Sequence, residues 1–225
     1  MPTPLESLWK PSEAARWAAA VAPRELGLRV YGSRLLGADP ALVFAGGGNT
    51  SVKATVADLY GEPVETLWVK ASGSDLATAS ARDFTPLALA PTLRLLGVER
   101  LSDRDMVREL SKARLDPEAP PPSVEALLHA LLPLRYVEHA HPVAALALLD
   151  SADGDRRAEE LWGEDCLLVP YVKPGFDLAV RCRDLWRAAA AGGRRLRGLV
   201  LLRHGVVAFA DDARESYETL LELVG

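Results

Sequence analysis

The sequence predicts one α/β (α+β) domain, a central, mainly antiparallel sheet with helices packed against it. Three observations lead there. Segments of helical and strand character follow one another in the order helix, hairpin, strand, helices, strand, strand, helix, strand, helix. No linker is long enough to separate domains, so residues 1–225 read as a single unit. Composition agrees: 49% of the residues are hydrophobic and 25% charged, enough apolar material for a sizeable core.

In chain order, residues 4–37 read as helical, with apolar residues at helical spacing and Pro23 as an interruption. Residues 41–56, ALVFAGGGNTSVKATV, read as two short strands around a glycine turn. Residues 65–72 form another strand that ends in small polar residues. Segments 84–97 and 103–113 read as helices, the second capped by Ser102 or Asp103. The proline run in 116–123 makes a loop. Ser123 is placed to cap a short helix, VEALLHALL. YVEHAHP (136–142) is a strand stopped by Pro142, and 165–175 is a strand with a turn. Residues 179–190 are helical, 198–210 strongly β-like, and the chain closes with an amphipathic helix begun by Asp211 or Asp212.

Several classes are excluded or disfavoured. A net charge of −5 gives no electrostatic case for nucleic acid. No run of eighteen apolar residues is present to span a membrane, and the first residues lack the basic and apolar regions of a signal peptide. Cys166 and Cys182 are not in a C-x-x-C arrangement, which points to a reducing cytoplasm.

The chemistry concentrates in four histidines. His139 and His141 are two apart on a strand, so their rings share one face and can reach one metal ion about 2 Å away. His204 lies on a different predicted strand, and Gly205 after it lets backbone pass close by. Three histidines with an open fourth position is a catalytic zinc pattern. The competing reading is a chance H-x-H pair and a packed core histidine. Glu125 falls in the first turn of the helix that Ser123 caps, where the helix dipole alone accounts for a carboxylate. It is equally a candidate fourth ligand or general base. His129 shares its face and either supports a ligand from behind or is simply packed, with packing favoured.

Two turns have the makings of an anion site. GGGNTS (46–51) offers backbone N–H groups and the side chains of Asn49, Thr50 and Ser51. KASGSDL (70–76) offers Lys70, Ser72, Gly73 and Ser74 at another strand end. Neither has phosphate-loop or dinucleotide spacing. Lys53 and Lys70 stand out in a chain whose basic residues are mostly arginine.

Taken together, G-G-N-T-S-x-K, K-x-S-G-S-D-L, P-S-x-E, H-x-H-P and H-G, in this order, resemble the class II aldolase/adducin family over roughly residues 10–223. Within it the chain most resembles the aldolase domain of bifunctional rhamnulose-1-phosphate aldolase/short-chain dehydrogenase proteins. LRVYGSRLLGADPALVFAGGGNTSVK, SGSDLAT, VPYVKPGF and ESYE carry that likeness. The resemblance implies a three-layer αβα fold and a homotetramer with sites between subunits. It implies His139, His141 and His204 as ligands of zinc or another divalent transition metal, and Glu125 as the acid/base residue. Gly48, Asn49, Ser72, Gly73 and Ser123 would hold a substrate phosphate, with Lys53, Lys70 and Ser74 as further candidates. One departure matters: relatives often read P-S-S-E, and here the second serine is Val124.

The activity so implied is retro-aldol cleavage of a ketose 1-phosphate, rhamnulose- or fuculose-phosphate-like, to dihydroxyacetone phosphate and an aldehyde. A related epimerase, dehydratase or decarboxylase on the same metal site is the alternative within the fold. A non-catalytic adducin-like interaction module is the alternative from another class, and it predicts missing histidines. A dehydrogenase on a separate chain is the implied protein partner. Tyr171 and Lys173, in P-Y-x-[KR]-P-G, either contact substrate or shape the turn, with the turn favoured.

Overall fold

The computed structural model describes residues 5–44 and 46–225. Residue 4, read as helical, and Ala45, read as belonging to a strand, lie outside them.

Two helices open the fold, α1 (Pro11–Ala20) and α2 (Arg24–Gly37), separated at the interruption expected of Pro23. The strands are β1 (Asn49–Ala57), β2 (Pro63–Lys70), β3 (Phe84–Ala88), β4 (Tyr136–Ala140), β5 (Cys166–Val169), β6 (Gly198–Leu201) and β7 (Gly205–Ala210). The remaining helices are α3 (Leu89–Arg94), α4 (Asp103–Lys112), α5 (Ala126–Leu131), α6 (Val143–Leu149), α7 (Gly154–Trp162), α8 (Phe176–Ala191) and α9 (Ala213–Val224). The sheet runs β3-β2-β1-β4-β7-β6-β5, antiparallel except for the β5–β6 pair.

Alternation along the strands makes three layers. Ala140, Val200, Val206 and Ala208 face Leu36 of α2, Leu149 of α6, Trp162 of α7 and Tyr217 and Leu220 of α9. Opposite them, Leu67 and Val69 pack on Met106 and Leu110 of α4, Leu127 of α5 and Phe176 of α8. Val137, Leu199, Leu201, Val207 and Phe209 complete that face against Leu128 and Leu178. Burying each such leucine fully stabilises the fold by about 1.5–3 kcal/mol. α9 starts where Asp212 Oδ1 accepts from the Arg214 and Glu215 amides at 2.9 and 3.0 Å.

Five local expectations are corrected. Among its described residues, segment 41–56 contains one strand, not two. The Leu42 and Val43 amides fold back onto the Asp39 carbonyl, so both side chains are buried without joining a ladder. Segment 84–97 begins with β3, a strand containing Pro86. β3 is the sheet edge, where a missing N–H is tolerated, and the Pro86 carbonyl still accepts from the Leu115 amide at 3.0 Å. The helix after Ser123 starts three residues later, and Glu125 is itself its N-cap residue (φ −94°, ψ 9°). Segment 198–210 is a hairpin, β6–β7, with His204 in its turn rather than on a strand. Residues 143–162, to which the sequence pattern assigns no element, hold two helices, α6 and α7.

Antiparallel register gathers the functional segments at one end of the sheet. Asn49 pairs with His139, Ser51 with Val69, Ala140 with Val206 and Leu201 with Gly205. The start of β1, the ends of β2 and β4, and the β6–β7 turn therefore meet there.

Candidate metal centre

β4 carries His139 on the face turned to α5 and α8, and the chain turns at Pro142 just after His141. The β6–β7 turn brings His204 to the same place. Arg203 before it takes φ 57°, a left-handed conformation rare outside glycine. Gly205 is needed for the approach: a Cβ there would lie 2.5 Å from the Ala140 carbonyl oxygen and 2.8 Å from the His141 ring. The expectation of a close backbone pass at Gly205 is met.

His139 Nε2 lies 3.1 Å from His141 Nε2 and 3.3 Å from His204 Nε2. Zinc–nitrogen bonds of about 2.0–2.1 Å in tetrahedral geometry set ligand nitrogens about 3.3–3.4 Å apart. His141 and His204 thus each stand at ligand spacing from His139, and with all three nitrogens within 4.8 Å of one another they are the group among the described residues able to hold one ion. Their protonation fits as well. His139 Nδ1 is 3.1 Å from the Val206 carbonyl, which can only accept, so Nδ1 carries a hydrogen and Nε2 faces the other two rings. Burial, then the neighbouring histidine charge, pushes His141 and His204 down to about 4, leaving neutral donor imidazoles at neutral pH.

Glu125 closes the cluster. Its Oε1 is 3.3 Å from His204 Nε2 and its Oε2 3.6 Å from His139 Nε2. Burial pushes its carboxyl up; the His139 and His204 charges and an Asn49 hydrogen bond reverse this and bring it down to about 2. Asn49 Nδ2 donates to Glu125 Oε2 at 3.0 Å and to Ser123 Oγ at 2.5 Å, and Ser123 Oγ accepts from the Glu125 amide at 3.2 Å. Glu125 Oε1 has no hydrogen-bond donor although it is buried. A buried carboxylate oxygen and three converging ring nitrogens are a donor set suited to a cation.

The anion-binding candidates divide. Ser72 and Ser123 lie on adjacent segments, tied by the Ala71–Pro122 bridge and by the Ser72 amide donating to the Pro121 carbonyl at 3.1 Å. Gly48 (φ 66°) and Gly73 (φ 81°) both need left-handed backbone, as in a turn built of exposed N–H groups. Lys70 is buried, and its Nζ donates to the Ala71 carbonyl at 3.3 Å. Burial lowers its pKa, and the Asp75, Asp83 and Glu125 charges oppose that. The Ser74 hydroxyl is engaged by Asp83. Lys53 is not brought to this end. It lies four residues along β1 from Asn49, about 13 Å, and its Nζ donates to the His129 and Leu134 carbonyls at 2.9 and 3.0 Å. His129 is packed, as expected, with Nδ1 2.8 Å from Ser51 Oγ. Lys173 binds Asp103 at 3.0 Å, and Asp103 also accepts from the Phe176 amide, so that lysine shapes the turn before α8.

The three-layer fold is shared with known proteins. The model of the class II aldolase and adducin N-terminal domain matches residues 29–224, and the chain belongs to that family. An uncharacterized oxidoreductase of Bacillus subtilis (strain 168), YuxG, is 35% identical over 206 residues, 92% of this chain; the chain spans 29% of that relative's length. The N-terminal class II aldolase domain of a conserved Thermoplasma acidophilum protein superposes with a TM-score of 0.84 at 34% identity, covering 98% of this chain and 96% of that one. An L-fuculose-1-phosphate aldolase from Thermus thermophilus shares the fold at a TM-score of 0.53 and 19% identity, covering 93% and 91%.

Proposed function

We propose that the chain is a metal-dependent carbon–carbon lyase acting on a ketose 1-phosphate of the rhamnulose or fuculose type. The observation that carries this is the convergence of three Nε2 atoms, 3.1 and 3.3 Å from the central one, beside the Glu125 carboxylate. His139, His141 and His204 would hold zinc or another divalent transition metal. Bound there, the ion would supply Lewis acidity, drawing charge from the substrate's carbonyl and neighbouring hydroxyl oxygens.

Glu125 moves the proton. In the condensation direction its carboxylate takes the C3 proton of dihydroxyacetone phosphate and passes it to the oxygen of the aldehyde; in cleavage of the C3–C4 bond it takes the C4 hydroxyl proton as that carbon becomes the aldehyde, and delivers it to C3. Asn49 and Ser123 keep the carboxylate aimed at the histidines. We assign the phosphate to the turns of Gly48, Ser72 and Gly73, with Asn49, Ser123 and Ser74 at their margin. The buried Lys70 charge would compensate for Val124, which stands exposed beside Glu125 where relatives place a phosphate-binding serine.

A homotetramer is the assembly we infer from the family. A dehydrogenase is the proposed partner, on a separate chain or a longer one, because the Bacillus relative is called an oxidoreductase and extends far beyond the matched region. Among the described residues no helix is long and apolar enough to cross a membrane. Buried, unpaired Cys166 and Cys182 suit the reducing cytoplasm.

The test begins with metal content. One divalent ion per chain is expected in the wild type and none in His141→Ala. Ketose 1-phosphates are then screened for release of dihydroxyacetone phosphate. Glu125→Gln should keep its metal and lose most turnover, about 100-fold or more; full activity in that variant would sink the assignment.

A further inference from the structure

β1 holds α5 with three residues of one strand face. Asn49, Ser51 and Lys53 alternate along the strand, so all three point to the side where α5 lies. At the helix start Asn49 donates to Glu125 Oε2. Within the helix Ser51 Oγ meets the His129 ring at 2.8 Å. At its far end Lys53 Nζ donates to the His129 and Leu134 carbonyls. The contacts therefore run from the N-cap residue to beyond the last turn.

α5 needs such support. It has six residues, against the roughly 12–15 that a helix requires to persist by itself. Ala126, Leu127, Leu128 and Ala130 press it onto the sheet. Apolar burial is non-directional, though, and does not fix where along β1 the helix comes to rest. Hydrogen bonds fix that, because they fail beyond a few tenths of an ångström or at poor angles. Lys53 Nζ also meets the His129 carbonyl in the last turn of the helix, the negative end of its dipole.

We propose that Ser51, His129 and Lys53 are positioning residues: acting through α5, they set where the Glu125 carboxylate stands beside the three histidines. The inference rests on the metal-centre reading above for its functional meaning, but it can be tested apart from it.

Zinc affinity is measured by competition with a chromophoric chelator for Ser51→Ala and Lys53→Met, each in the Glu125 and the Glu125→Gln background. With Glu125 present, each variant should lose about tenfold in affinity. In the Glu125→Gln background the further loss should stay below about twofold, because the route through Glu125 is gone. Equal losses in both backgrounds would show that these residues only stabilise the fold, and would overturn the proposal. Lys53→Arg, which restores donors to both carbonyls, should recover the affinity. A crystal structure of Ser51→Ala supplies a readout free of metal and turnover. A carboxylate displaced by about 1 Å, enough to matter for catalysis, supports the proposal; an unmoved one refutes it. A wild type that binds no zinc would count against the metal assignment alone, and the crystal structure would still decide this one.

Discussion

Behind β4 lies a charge pair whose removal should cost more than its retention gains. Arg29 of α2 and Glu138 of β4 meet at 2.5 Å, and neither side chain is exposed. Ser33 Oγ accepts from Arg29 Nε at 3.2 Å, and Ser216 Oγ donates to Glu138 Oε1 at 3.2 Å. Arg29 Nη2 and Glu138 Oε2 are left without hydrogen bonds. Burial pushes the Glu138 carboxyl up, and Arg29 and Ser216 offset it only in part. Removing one partner strands the other charge, at a cost of about 3–5 kcal/mol. Against a typical domain stability of about 5–15 kcal/mol, that is a large share. Replacing both by apolar residues of similar volume removes the stranded charge, so the double variant should return close to the wild type or exceed it by about 1–4 kcal/mol. Urea unfolding of Arg29→Met, Glu138→Leu and the double variant measures this. Both single midpoints should fall sharply and the double should recover, a coupling of about 3 kcal/mol or more. A double variant equal to the sum of the singles, or singles within about 0.5 kcal/mol of wild type, would refute the reasoning.

Two further outcomes follow from the metal centre. The metal-free protein should be acid-labile. Burial, first of all, pushes His129 down to about 3 and His141 and His204 to about 4, whereas the unfolded chain takes up these protons near pH 6.5. Stability is therefore complete above that pH and lost as the pH falls toward 4, by up to about 4 kcal/mol per pH unit for three protons; a flat denaturation midpoint between pH 6.5 and 4.5 would contradict it. Gly205→Ala should lower zinc affinity at least about tenfold while leaving far-ultraviolet circular dichroism unchanged, since its Cβ would press on the His139 and His141 rings and the Ala140 carbonyl; unchanged zinc binding would show that the turn can yield.

Signals carried by neighbouring residues are legible in the sequence. The close pass of backbone at Gly205 and the helix start at Asp212 are stated by residues within a few positions, and H-x-H is legible as a pair although the strand ends at Ala140, before His141. Features that depend on distant partners are not. Pro86 argues against a strand until its place at the sheet edge is known. The start of α5 shifts because Asn49, far away in sequence, holds Glu125 at the cap position. Lys53 resembles an anion ligand by residue type, yet the carbonyls it serves lie on a later helix and loop. The alternation Asn49-x-Ser51-x-Lys53 is the available signal for that role. No motif marks residues 143–162, whose helices fill a layer without supplying a ligand to the centre.

The strand order also dictates when the centre can come into being. His139 and His141 are neighbours in the chain, so an unfolded polypeptide already offers a weak two-nitrogen grip. His204 joins them only when β7 pairs with β4, and Glu125 only when α5 seats against β1. Closing these long loops is the slow stage in assembling such a sheet. A metal ion held by the proposed set would arrive after that work is done. It would act as a latch on the finished sheet, slowing its opening far more than it speeds its formation.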